Sequence, residues 1–212
     1  MSQILVRVNE LKNQPIREVI SNRMSEFESF QNKLDNQEEI FRELCFCLLT
    51  ANYSAEGGIK IQKSIGHGFI DLNQDELAKK LIELGHRFPN ARAKFIVEAR
   101  KHIDNLPVIL QSLSGNELRE WFVENVKGLG FKESSHFLRN IGFGDYAIVD
   151  FHIIDILAEH ELIEKIERGK GISKKKYLEI EGVLKQLGQA LQINMAELDL
   201  YLWYLETGKV LK

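Results

Sequence analysis

Residues 124–142 read Glu124-Asn-Val-Lys-Gly-Leu-Gly-Phe-Lys-Glu-Ser-Ser-His-Phe-Leu-Arg-Asn-Ile-Gly142. The pattern ends one helix at Val126, turns on Gly128-Leu129-Gly130, and opens a second helix that sends Ser135, Phe137, Leu138 and Ile141 toward a core. Positive φ is expected at the two glycines, because only residues without a Cβ turn this tightly at little cost. Gly-hydrophobic-Gly between two short helices is a helix-hairpin-helix. Its backbone amides, unpaired at a helix start, can receive a phosphate oxygen without any side-chain charge. On the glycines alone, a plain αα-hairpin fits equally well.

Outward from the hairpin, helical periodicity dominates. Ile40, Leu44, Cys47 and Leu48 form the apolar stripe of a buried helix. Leu77, Leu81 and Leu84 line another that stops at Gly85 with Pro89 beyond. From Ala91 to Ile103, the spacing points Ala91, Phe95 and Ala99 inward and leaves Arg92, Lys94, Arg100 and Lys101 for solvent. Further helices are expected over 118–126, over 173–191 behind a Ser173 cap, and from Met195 to about Leu205. Glu164–Lys176 reads as a basic, glycine-containing loop. Tyr146-Ala-Ile-Val-Asp-Phe-His-Ile-Ile-Asp155 is β-rich by propensity but has no partner strand, so it reads as an extended lead-in to a helix starting near Asp150. The fold class is all-α. We expect two helical lobes with a DNA-binding cleft between them: a central lobe over 36–147 that ends in the hairpin, and a second lobe from 1–35 together with 148–212.

The 212 residues, 44% hydrophobic and 28% charged, suit a soluble chain that folds without disulfides or structural metal. No apolar run approaches the roughly 20 residues needed to cross a bilayer, so no membrane partner is expected. The first residues turn polar too soon for a secretory leader, which points to an intracellular protein of the cytoplasm or nucleoid. Cys45 and Cys47 face different sides of one helix and read as buried free thiols, too few for an iron–sulfur cluster. The net charge of −3 requires that any nucleic acid be held locally.

Lys132 follows the hairpin and Asp150 stands in Ile148-Val149-Asp150-Phe151-His152. A partly desolvated lysine amine forms Schiff bases with carbonyl carbons, and a nearby carboxylate stabilises a developing cation. Such a pair suits displacement at a sugar carbon. Each residue alone also reads as a solvated lysine and a helix cap.

Together these residues resemble the helix-hairpin-helix DNA glycosylases whose motif ends in Gly/Pro and Asp. More narrowly, Lys132–Asn140, Leu48-Leu-Thr-Ala-Asn-Tyr-Ser-Ala-Glu-Gly-Gly58, Gly85-His-Arg-Phe-Pro89 and Asp199-Leu-Tyr-Leu-Trp-Tyr-Leu-Glu-Thr-Gly-Lys-Val-Leu-Lys212 look like the second type of 8-oxoguanine DNA glycosylase/AP lyase, found mainly in archaea. The likeness runs from about residue 38 to the C-terminus. Endonuclease III relatives carry a four-cysteine cluster near the C-terminus, and this chain has no cysteine after Cys47. Adenine glycosylases of the superfamily lack the lysine.

The resemblance implies that Lys132 attacks C1′ of the damaged nucleotide and that the Schiff base then breaks the strand by β-elimination, with Asp150 stabilising the cationic sugar. It implies that Phe88 and Trp203 line the pocket for the flipped base, that Lys212 helps recognise the oxidised guanine, that His152 contacts the backbone near the lesion, and that Asn52 probes the space the base leaves. Gly128 and Gly130 would meet the DNA backbone. The expected partner is double-stranded DNA containing 8-oxoguanine, bound by a monomer. No cofactor and no side-chain metal site are expected, although relatives hold a monovalent cation on the hairpin main chain. A non-catalytic hairpin module, or a glycosylase/lyase for another damaged base, is the alternative.

Overall fold

The computed structural model describes residues 2–167 and 171–212 and contains helices joined by turns, with no strand among the described residues. The chain opens with α1 (Ser2–Lys12) and α2 (Ile16–Ser29). A run of further helices follows: α3 (Gln37–Thr50), α4 (Ala55–Ile65), α5 (Gly68–Asp71), α6 (Gln74–Glu83), α7 (Pro89–Ala99), α8 (Leu106–Ser112), α9 (Gly115–Asn125) and α10 (Phe131–Asn140). The chain ends with α11 (Phe151–Glu159), α12 (Lys174–Leu191) and α13 (Met195–Thr207). Two compact units result, Ser29–Ile141 and Met1–Glu28 with Gly142–Lys212. No helix among the described residues is long and apolar enough to cross a membrane.

Local sequence sets the helix ends. Asn36, Ser54, Asn73, Ser173 and Asn194 each cap a following helix by accepting a backbone N–H through the side chain. Asn73 and Glu76 close a reciprocal capping box at α6. Of the basic loop expected over 164–176, residues 168–170 lie outside the described residues, and 174–176 already belong to α12. Of the β-rich stretch 146–155, residues 146–150 belong to no helix or strand and 151–155 already form the start of α11.

In the unit Ser29–Ile141, α3 is the buried axis. Every residue from Ile40 to Thr50 except Arg42 is buried, both cysteines included. Helices α4, α7, α8 and α10 pack around it. One carboxylate sits in this core: Glu43 accepts from Gln62 of α4 (3.1 Å) and from Asn140 of α10 (2.8 Å). Such pairing is what makes a buried charge tolerable. Arg119 of α9 is fully buried and joins the hairpin's two helices by donating to Asn116 (2.7 Å) and to Ser135 of α10 (3.3 Å), with its guanidinium 5.1 Å from the Phe131 ring.

In the other unit, α11, α12 and α13 enclose a core of Ile153, Ile156, Leu184, Leu198 and Leu202, with α1 packed on α12 and α13. Lys12 ties α1 to the end of α12 through the Leu191 carbonyl (2.9 Å).

The solvent face expected over 91–103 is wrong in two places. Arg92 is buried, and its guanidinium donates to the Ala51 carbonyl. Arg100 is half-buried, at the junction where α7 passes into a 3₁₀ turn, and it donates to the carbonyls of Phe69 (2.8 Å) and Leu72 (2.6 Å). Each arginine bonds to main-chain carbonyls outside its own helix, a task periodicity does not reveal. Ala91, expected inside, is exposed. The buried face of α7 is instead Arg92, Ala93, Ile96 and Ala99.

Candidate active site

The hairpin begins where α9 stops at Val126, whose carbonyl receives the Leu129 N–H (3.1 Å) and closes the turn. Gly128 has φ +97, and a Cβ there would meet the Phe95 ring at 2.5 Å, so glycine is required twice over. The expectation of positive φ at Gly130 fails. Its φ is −99, because it serves as the extended N-cap of α10, a conformation open to any residue. The sequence reading also missed Glu133. Its carboxylate accepts the Gly130 N–H (3.3 Å), so one of the amides offered to a phosphate is capped by the chain itself. Glycine followed three residues later by glutamate was the available signal.

Lys132 stands in the first turn of α10, with its side chain partly exposed and Nζ 3.8 Å from Glu133. Arg119 and the buried run Ser134–Asn140 fix this helix from behind, so the amine is mounted on a rigid element. In the same unit, Asn52 is exposed at φ +57 between α3 and α4, and Phe88 is exposed at the start of α7 with the Arg87 guanidinium 5.0 Å over its ring. Phe95 adjoins both regions: Gly128 packs on it, and the Arg92 guanidinium lies 5.8 Å from its ring and 5.9 Å from that of Phe88. Burial pushes the Arg92 guanidinium below its ordinary pKa, and the charge of Glu133 opposes this.

Asp150 belongs to the other unit. It caps α11 by accepting the Ile153 N–H (2.9 Å) and leaves the rest of its carboxylate half-exposed. Tyr177 fixes the backbone before it, donating to the Ala147 carbonyl (2.7 Å) and accepting from the Val149 N–H (3.2 Å). His152, in the first turn of α11, meets the Trp203 ring edge-on at 4.7 Å, with Nδ1 3.7 Å from Glu206. Trp203 is half-buried on α13, and its indole N–H is shielded without a hydrogen-bond partner among the described residues. A buried indole N–H usually finds one. Lys212 is half-buried at the end of the chain. No group of three or more His, Cys, Asp or Glu among the described residues could hold a metal ion.

A family model described as 8-oxoguanine DNA glycosylase matches residues 20–193, a span that includes the hairpin, Lys132 and Asp150. The 8-oxoguanine DNA glycosylase/AP lyase of Korarchaeum cryptofilum is 54% identical over 206 residues, covering 97% of this chain and 96% of that one. The protein of the same name from Methanocaldococcus jannaschii is 50% identical, with 99% of each chain covered. The crystal structure of the Methanocaldococcus jannaschii 8-oxoguanine glycosylase/lyase in complex with 15mer DNA containing 8-oxoguanine matches with a TM-score of 0.94 and 48% identity, covering 99% of this chain and all of that one. The 8-oxoguanine DNA glycosylase of Thermotoga maritima matches with a TM-score of 0.93 and 43% identity, covering 100% of this chain and 99% of that one. By sequence and by structure, then, this all-α chain belongs to the 8-oxoguanine DNA glycosylase family.

Proposed function

We propose that this protein removes 8-oxoguanine from double-stranded DNA and then cuts the strand at the resulting abasic sugar, working as a monomer. The observation that carries this reading is Lys132, held on the first turn of α10 directly after the hairpin in a chain of this family. The chemistry requires the base outside the duplex, where C1′ can be reached, at an unstacking cost of a few kcal/mol. Phe88 and Trp203 supply aromatic surface to repay that cost, and Lys212 supplies a cation for the oxidised base. Asn52 fills the space vacated by the base. His152 and the hairpin turn at Gly128 and Gly130 meet the DNA backbone.

In the first step, deprotonated Lys132 Nζ bonds to C1′ while the bond from C1′ to the base nitrogen breaks, and the base departs with a proton. The C1′–O4′ bond then breaks, O4′ taking up a proton from water while the nitrogen lone pair forms the C=N bond of a protonated Schiff base. Loss of a C2′ proton expels the 3′ phosphate oxygen and cuts the strand. Asp150, as a carboxylate, stabilises the positive charge that develops on the sugar. The Val126–Gly130 turn offers a monovalent cation main-chain oxygens only, a hard-oxygen donor set that suits such an ion.

The test is borohydride trapping on a duplex with one 8-oxoguanine opposite cytosine. Wild type should give a covalent protein–DNA band, and Lys132→Gln should give none while still binding. Asp150→Asn should retain the fold, since asparagine caps helices as well as aspartate, yet lose most turnover. Trapping only at a preformed abasic site would redirect the proposal to another lesion, and no trapping at all would favour a binding module.

A further inference from the structure

The turn that carries Asn52 is gripped on both sides by residues of the segment 85–92. Before Asn52, His86 Nε2 lies 2.9 Å from the Leu49 carbonyl, and Arg92 donates to the Ala51 carbonyl. After it, Tyr53 stacks on the His86 ring with centroids 4.3 Å apart and donates from its hydroxyl to the Gly85 carbonyl (3.2 Å). The same histidine accepts the Phe88 N–H at Nδ1 (3.0 Å). A carbonyl only accepts, so Nε2 carries the proton, and Nδ1 must offer a lone pair to Phe88. His86 is therefore committed to one neutral tautomer. The grip holds Asn52 at φ +57, a left-handed conformation in which a non-glycine residue needs support from its surroundings. His86 and Arg92 are both buried, whereas Asn52 and Phe88 are exposed.

We propose that His86, Arg92 and Tyr53 are positioning residues that lock the Asn52 turn and Phe88 into one preset edge for reading a damaged base pair, and that His86 does this only in its neutral Nε2–H form. This rests on the function proposed above. The groups facing His86 are the Arg92 guanidinium, the Tyr53 phenol and the Leu49 carbonyl. Burial lowers the His86 pKa below 6.5 and the charge of Arg92 adds to this, while the Leu49 carbonyl opposes it. Because the folded value lies below the unfolded one, the contribution of His86 to stability is complete above pH 6.5 and is lost as pH falls through the folded value. A second proton, on Nδ1, would displace the Phe88 N–H.

The experiment compares excision of 8-oxoguanine with cleavage of a preformed abasic site in the same duplex, from pH 5 to 8. A mispositioned reading edge affects the first reaction, whereas the second needs no base to be read. His86→Ala and Arg92→Met should lower excision by on the order of tenfold to a hundredfold, the scale of a small misplacement near a reacting centre, with abasic-site cleavage nearly unchanged. His86→Gln, which keeps one donor and one acceptor, should restore most excision and remove the acid-side decline in the ratio of the two activities. Equal loss of both activities, or no loss of excision, overturns the proposal. If His86→Ala does not melt cooperatively, the pH profile of wild type against His86→Gln decides alone, and identical profiles overturn it. A wild type that cleaves abasic DNA but leaves 8-oxoguanine intact overturns the proposed function itself, and this inference with it.

Discussion

Tyr177 shows how a side chain far along the chain fixes a proposed catalytic group. Its hydroxyl satisfies two backbone groups of an irregular segment, and Asp150 leaves that segment to cap α11. Tyr177→Phe removes both bonds and strands the buried Val149 N–H, which by ordinary desolvation should cost about 1–3 kcal/mol. We expect the urea midpoint to fall accordingly. The excision rate at saturating DNA should fall more than DNA affinity does, because Asp150 would lose its placement while the hairpin keeps its own. At this scale the sequence was unevenly legible. Lys132 and Asp150 stood out because their residue types, beside that hairpin, match a known chemistry. Arg92 read as an ordinary solvent-facing charge, and Glu133 drew no reading at all. The buried setting of Arg92 depends on a carbonyl of a loop 41 residues away, which no local pattern encodes.

At the scale of elements, the hairpin separates its two glycines. Gly128 sits at φ +97 with no room for a Cβ against Phe95, whereas Gly130 is an extended N-cap whose Cβ would meet only the Glu133 carboxylate at 3.3 Å. Gly128→Ala should therefore lower stability by at least the ~1–3 kcal/mol of a strained backbone residue, and it should weaken DNA binding as the turn distorts. Gly130→Ala should be milder in a thermal melt, losing only a few tenths to about 2 kcal/mol of cap quality. Equal shifts would mean that the turn relaxes freely. The helices over 118–126, 173–191 and 195–205 followed from periodicity and, at Ser173, from a cap, whereas the caps Asn36, Asn73 and Asn194 went unread although they lie in the local sequence. The face of α7 did not follow from periodicity. A helix whose inward positions include an arginine hides its core side from any hydrophobic count.

For the unit Ser29–Ile141 as a folded body, the cysteines provide a built-in reporter. Cys45 and Cys47 lie on α3, its buried axis, and both are fully inaccessible. Their placement on different sides of one helix, poor for a bridge, argued for buried free thiols from sequence alone, and the unit closes around α3 from several sides. Burial raises the Cys45 pKa well above its ordinary value, with Glu43 assisting and Arg100 and Arg42 pulling the other way. Two barriers thus protect this thiol from an aromatic disulfide reagent, exclusion of the reagent and suppression of the thiolate. Fraying at the ends of α3 removes neither barrier, because both cysteines sit more than half a turn inside the helix and beneath its neighbours. Labelling should therefore require opening of the core itself. In native buffer the two thiols should react far more slowly than in denaturant, and their rate should rise with urea at the slope set by the unfolding of this unit. A fast, urea-independent reaction of either cysteine would show that α3 is exposed by a small local motion and is not the closed axis of its core.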